Sequence, residues 1–178
     1  MNSSLAISSN PTRLIKHVAP FDWVKIHEDI SSIGGVIVKG LFPDEEVESY
    51  NNEVDEYIRT NPGSGAPASG SDSYNMFLGH GTVRLQGLIE KTPSVTQWIG
   101  RQDIVDWASI AMKPIATSVL LNAAELIQIG PGESNQYVHR DTDSWPTASI
   151  GETPLIVNCL IALDEFTLDN GATRVMPG

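Results

Sequence analysis

The chain has 178 residues, 40% of them hydrophobic, with 11 Lys and Arg against 22 Asp and Glu and a formal net charge of −11. This length can bury one substantial core, and an acidic balance of that size disfavours nucleic acid and anionic membranes as partners. No stretch approaches the roughly 20 apolar residues of a membrane helix, and the N-terminus lacks the basic-then-apolar pattern of a secretory signal, so a cytoplasmic setting is expected.

In chain order, residues 1–20 begin rich in Ser, Asn and Pro and read as a loose leader. A helix starts at Phe21 with Asp22 as its cap, and a strand follows over Val36–Val38. Pro43–Ile58 reads as a helix: Pro43 and three acidic residues favour its N-terminal end, while Val47, Tyr50, Val54, Tyr57 and Ile58 recur at helical spacing. Thr60–Ser73 is dense in Gly, Ser, Pro and Ala and reads as a loop. Helices are expected over Ser94–Ile99 and, despite Pro114, over Asp103–Leu121. Ala124–Ile129 is a short strand closed by Gly130-Pro131-Gly132, and the apolar run Leu155–Leu163 reads as a core strand holding Cys159 as a small buried thiol. Helices followed by strands define an α+β class with one domain over 21–178. Walker, Gly-x-Gly-x-x-Gly and Gly-x-Ser-x-Gly patterns are absent, which removes the nucleotide-binding and serine-hydrolase readings.

Between the last two strands stands Gln136-Tyr137-Val138-His139-Arg140-Asp141. Positions two apart on an extended strand face the same way, so the His139 imidazole and Asp141 carboxylate converge on one point. They are two thirds of the His, His, carboxylate face that holds non-haem Fe(II). Of the four histidines, His17, His27, His80 and His139, none follows the motif, so a third ligand is not visible. Asp143 could share the strand face of Asp141 and is read as a loop or supporting carboxylate. The bland alternative for His139-x-Asp141 is a chance pair on a solvated loop.

The ending, Ile161-Ala162-Leu163-Asp164-Glu165-Phe166 through Asn170-Gly171-Ala172-Thr173 to Pro177-Gly178, together with Gly34-Gly35-Val36-Ile37-Val38-Lys39-Gly40-Leu41-Phe42-Pro43, resembles the phytanoyl-CoA dioxygenase family of Fe(II) and 2-oxoglutarate dependent oxygenases. The spacing is closest to the fungal branch that tailors natural products. The resemblance implies a double-stranded β-helix, or jelly-roll, core with N-terminal helices packed on it, its C-terminal strands lying beyond Gly178. It implies that His139 and Asp141 bind Fe(II), that a later histidine completes the set, and that a later arginine binds 2-oxoglutarate. It also implicates Gln136 and Thr173 as hydrogen-bonding groups for 2-oxoglutarate, with Arg84 as a charged contact suited to a carboxylate by its two-pronged guanidinium.

Each assignment has a structural counterpart: an ion pair for Arg84, a satisfied strand end for Gln136, a loop position for His80, and packing for Tyr137 and Trp145, which otherwise shape a pocket. The implied reaction consumes O2 and a small organic substrate and releases succinate and CO2. The 178-residue chain is read as an N-terminal piece of such an enzyme, inactive alone, in preference to a non-catalytic binding homologue. Substrate identity and oligomeric state, including a homodimer, stay open.

Overall fold

A computed structural model describes residues 13–65, 72–145 and 155–176. The architecture is α+β, with four short strands among the described residues in two two-stranded sheets. The chain divides into two compact units, one holding the residues up to Leu41 with those from Arg174 onward, the other Phe42–Thr173.

In the first unit, β1 (Ile15–Val18) pairs in parallel with β2 (Val36–Lys39), and α1 (Trp23–Ile33) makes the connection that a parallel pair requires. Asp22 caps α1 as the sequence predicts, its Oδ1 accepting from Val24 N at 3.1 Å and Lys25 N at 3.0 Å. The helix ends on Gly34, whose φ of 85° is the left-handed conformation a C-terminal cap favours. Ile26 is buried, and buried Asp29 is answered by Lys25 Nζ at 2.7 Å and His17 Nε2 at 3.2 Å. The expected leader therefore contributes a strand at Ile15–Val18; its first 12 residues lie outside the described ones.

The second unit is organised by α2 (Asp44–Thr60), with Pro43 at its start and Asp44, Glu45 and Glu46 in the first turn, where their charge complements the helix dipole. Tyr50 and Val54 of its apolar stripe are buried, and Val47, Tyr57 and Ile58 pack on the same core. That core is completed by β3 (Val83–Gln86), α4 (Leu88–Lys91), a 3-10 turn at Pro93–Val95, α5 (Thr96–Ile99) and β4 (Glu125–Gln128), through Leu85, Leu88, Val95, Trp98 and Leu126. The Trp98 ring lies 4.7 Å from both Phe42 and Tyr50, and the Tyr50 hydroxyl is 2.9 Å from Thr92 Oγ1. Strands β3 and β4 are antiparallel with Leu85 opposite Leu126, and α3 (Asp72–Leu78) precedes β3.

Four sequence expectations change. The helix expected over Asp103–Leu121 is α6, Gln102–Met112, giving way to a turn where Pro114 has no N–H to continue the ladder. The Thr60–Ser73 loop is a cap and turn through Gly65, then lies partly outside the described residues before α3 begins inside its predicted end. The run Leu155–Leu163 forms no strand: apolar β-branched residues favour extension, but a strand also needs a paired backbone. Burial alternates only at its end, over 160–163. Ile161 and Leu163 pack on the core while Leu160 and Ala162 are exposed, and Asn51 Nδ2 donates to the Leu163 carbonyl at 3.0 Å. Cys159, expected to be buried in that strand, is exposed; the surrounding protein nevertheless desolvates its sulfur and, with the Asp103 charge adding, pushes the thiol pKa up.

Candidate metal centre

The segment carrying His139 and Asp141 leaves β4 through Gly130-Pro131-Gly132 and passes the loop 79–81 so closely that a Cβ at Gly130 would collide with the Gly81 carbonyl oxygen. Glu133 reinforces the approach by accepting from Gly81 N. The chain then runs irregularly to a 3-10 turn over Asp141–Ser144, so the pair sits at the mouth of that turn and not on the predicted strand. Arg140, just before the turn, is extended (φ −117°, ψ 138°), and its N–H is 3.3 Å from Asp143 Oδ2. An extended backbone suffices to bring the two side chains together even without a ladder.

His139 Nδ1 lies 2.9 Å from the Tyr137 carbonyl oxygen, which can only accept, so Nδ1 carries the hydrogen. In the neutral ring Nε2 is then a lone pair, and it faces Asp141 Oδ1 at 3.5 Å. Two acceptors at that spacing call for a proton or a cation between them. Donors held about 2.1 Å from one ion stand about 3 Å apart at a right angle and about 3.4 Å at a tetrahedral angle. A neutral imidazole whose other nitrogen donates to a backbone carbonyl is also the usual state of a metal-binding histidine. The two residues therefore fit a divalent ion. Among the described residues no group of three His, Cys, Asp or Glu is assembled, so the pair is an incomplete set.

The remaining predicted residues occupy distinct places. Gln136 donates from Nε2 to the Phe77 carbonyl at 2.8 Å, tying the motif to the end of α3. Phe77 meets His139 edge-on at 4.9 Å and Tyr137 at 4.8 Å, giving the imidazole an aromatic wall. Arg84 on β3 donates from Nε to the Leu78 carbonyl at 3.1 Å and pairs with Glu125 on β4 at 3.2 Å, the ion-pair reading of this residue. A guanidinium has five N–H donors, more than those two contacts use. Thr173 is exposed on an irregular segment after Gly171. Asp143 is turned onto Arg140, 3.1 Å away, and His80 and Trp145 are exposed. Among the described contacts, none joins Arg84 or Thr173 to the His139 and Asp141 pair.

Two residues at the site were not singled out from sequence. Asn158 donates from Nδ2 to Asp141 Oδ2 at 2.6 Å, and a polar side chain within the apolar run 155–163 was the signal available for it. Phe77 carries no sequence signal that separates it from a packing residue.

Comparison with known proteins gives the family. The profile of the phytanoyl-CoA dioxygenase family matches residues 31–178. The dioxygenase olcK of Penicillium canescens is 30% identical over 177 residues, covering 93% of this chain and 55% of the relative. The dioxygenase aneA of Aspergillus aculeatus is 30% identical over 181 residues, covering 96% and 58%. The iron/alpha-ketoglutarate-dependent dioxygenase penM of Penicillium thymicola is 27% identical over 161 residues, covering 88% and 51%. The chain belongs to the phytanoyl-CoA dioxygenase family and is similar to its fungal dioxygenases. It spans about half the length of these relatives.

Proposed function

We propose that the protein is an Fe(II) and 2-oxoglutarate dependent dioxygenase that oxidises a small organic, natural-product substrate and releases succinate and CO2. The observation that carries this reading is the pair of facing acceptors, His139 Nε2 and Asp141 Oδ1, 3.5 Å apart, with the histidine tautomer set by the Tyr137 carbonyl. Family membership and the iron/alpha-ketoglutarate dependence named for penM support the choice of metal and co-substrate. A single domain over 21–178 with a jelly-roll core is part of the same reading.

When bound, iron would supply O2 activation, with 2-oxoglutarate giving two electrons as it becomes succinate and CO2 and the substrate giving the other two. The chain's own residues place the partners. His139 and Asp141 hold the ion from one side; Phe77 and Tyr137 present apolar surface beside it. Gln136 and Thr173 offer hydrogen bonds to 2-oxoglutarate, and Arg84 offers further N–H donors to a carboxylate. No helix among the described residues is long and apolar enough to cross a membrane.

The test is succinate formation from 2-oxoglutarate by the natural full-length protein. His139→Ala and Asp141→Ala should each abolish it while the fold survives; succinate release at the parental rate in either variant contradicts the assignment.

A further inference from the structure

Asp141 uses its two oxygens differently. Oδ1 faces His139 Nε2 at 3.5 Å, while Oδ2 accepts from Asn158 Nδ2 at 2.6 Å, a contact that spans 17 residues of chain. The Asp141 side chain is 47% exposed, so protein packing alone leaves its carboxylate free to turn about its last bond. The Asn158 amide removes that freedom. It donates a hydrogen bond without bringing a positive charge, so Asp141 keeps its full charge for a cation, which an arginine at the same place would have neutralised.

The segment that carries the amide is anchored a few residues on. Three residues beyond Asn158, Ile161 packs on the core, and Leu163 both packs there and accepts from Asn51 Nδ2 of α2 at 3.0 Å. A segment fixed to the core thus reaches an exposed carboxylate on a different segment.

We infer that Asn158 is the positioning residue of the metal pair: its amide fixes the Asp141 carboxylate so that Oδ1 alone is presented toward the ion shared with His139. The inference rests on the metal reading above. Outer partners of this kind typically change metal affinity by about 10- to 100-fold when removed.

The natural full-length protein is titrated with Co(II), followed by its visible d–d absorption, and compared with Asn158→Leu, Asn158→Gln and His139→Ala. Leucine keeps most of the volume and loses the donor; glutamine keeps the amide on an exposed side chain with room for one more methylene. The expected result is saturable binding by the parent, loss of the site with His139→Ala, weakening of roughly 10- to 100-fold with Asn158→Leu, and recovery of most of that loss with Asn158→Gln. The metal-free Asn158→Leu chain should melt at the parental temperature. Parental affinity in Asn158→Leu alongside loss in His139→Ala overturns the role of Asn158 and leaves the metal pair standing, as does equal weakening by Leu and Gln, which marks packing. Absence of saturable binding in the parent, or parental binding in His139→Ala, overturns the metal reading and the inference with it.

Discussion

His139 Nε2 and Asp141 Oδ1 stand 3.5 Å apart, and the surrounding hydrogen bonds account for the arrangement: the Tyr137 carbonyl engages Nδ1, and Asn158 occupies Oδ2. The sequence spacing was sufficient to see convergence of the two residues, because any extended backbone places positions two apart on one side. It was insufficient to show what fixes them, since Asn158 and Phe77 arrive from segments 17 residues later and 62 residues earlier than Asp141 and His139. The co-substrate assignments are testable at this scale. Thr173→Val and Gln136→Leu should each raise KM for 2-oxoglutarate, by an amount corresponding to about 1 kcal/mol or somewhat more for a charge-assisted bond. Gln136→Leu also removes the bond to the Phe77 carbonyl, so its effect should extend to kcat. Unchanged co-substrate kinetics in both variants would leave the two residues with structural roles only.

Elements were legible wherever a local signal and the tertiary packing agreed. For α1, the cap at Asp22 is a local device, and Asp22→Ala should cost about 1 kcal/mol, read as a lowered urea midpoint at unchanged slope. For α2, five periodic apolar residues all reached the core. The run Leu155–Leu163 shows the opposite case, because its residues specify an extended chain but pairing depends on another backbone being there. Helix α6 was overextended because its apolar spacing continues past Pro114 while its hydrogen bonds do not. Its start carries a pH-sensitive contact. Arg101 donates to Asp103 at 3.1 and 2.7 Å, and that hydrogen bond holds the carboxylate below its ordinary 3.8. A lowered folded pKa gives stability that is fully present above the ordinary value and is lost as pH falls through the folded one. Arg101→Met should therefore lower the urea midpoint at pH 7, and the gap to the parent should narrow as the pH falls below about 4, down to what the Arg101 stacking on Phe42 at 5.2 Å contributes. A gap independent of pH would show that the carboxylate pair contributes nothing.

For the molecule as a whole, the acidic composition and the absence of nucleotide and hydrolase motifs narrow the class, and the ending around Asn170-Gly171-Ala172-Thr173 points to the family that the profile over residues 31–178 establishes. The function depends on one claim, that His139 and Asp141 together hold iron in a form that 2-oxoglutarate can chelate. An anaerobic titration of the natural full-length protein with Fe(II) and 2-oxoglutarate tests it without requiring a substrate, because an iron centre chelated by 2-oxoglutarate would give a visible charge-transfer absorption. This absorption should appear with the full-length parent, saturate with 2-oxoglutarate, and be lost in both His139→Ala and Asp141→Ala. Its absence from the parent, or its persistence at parental intensity in either variant, would contradict the claim.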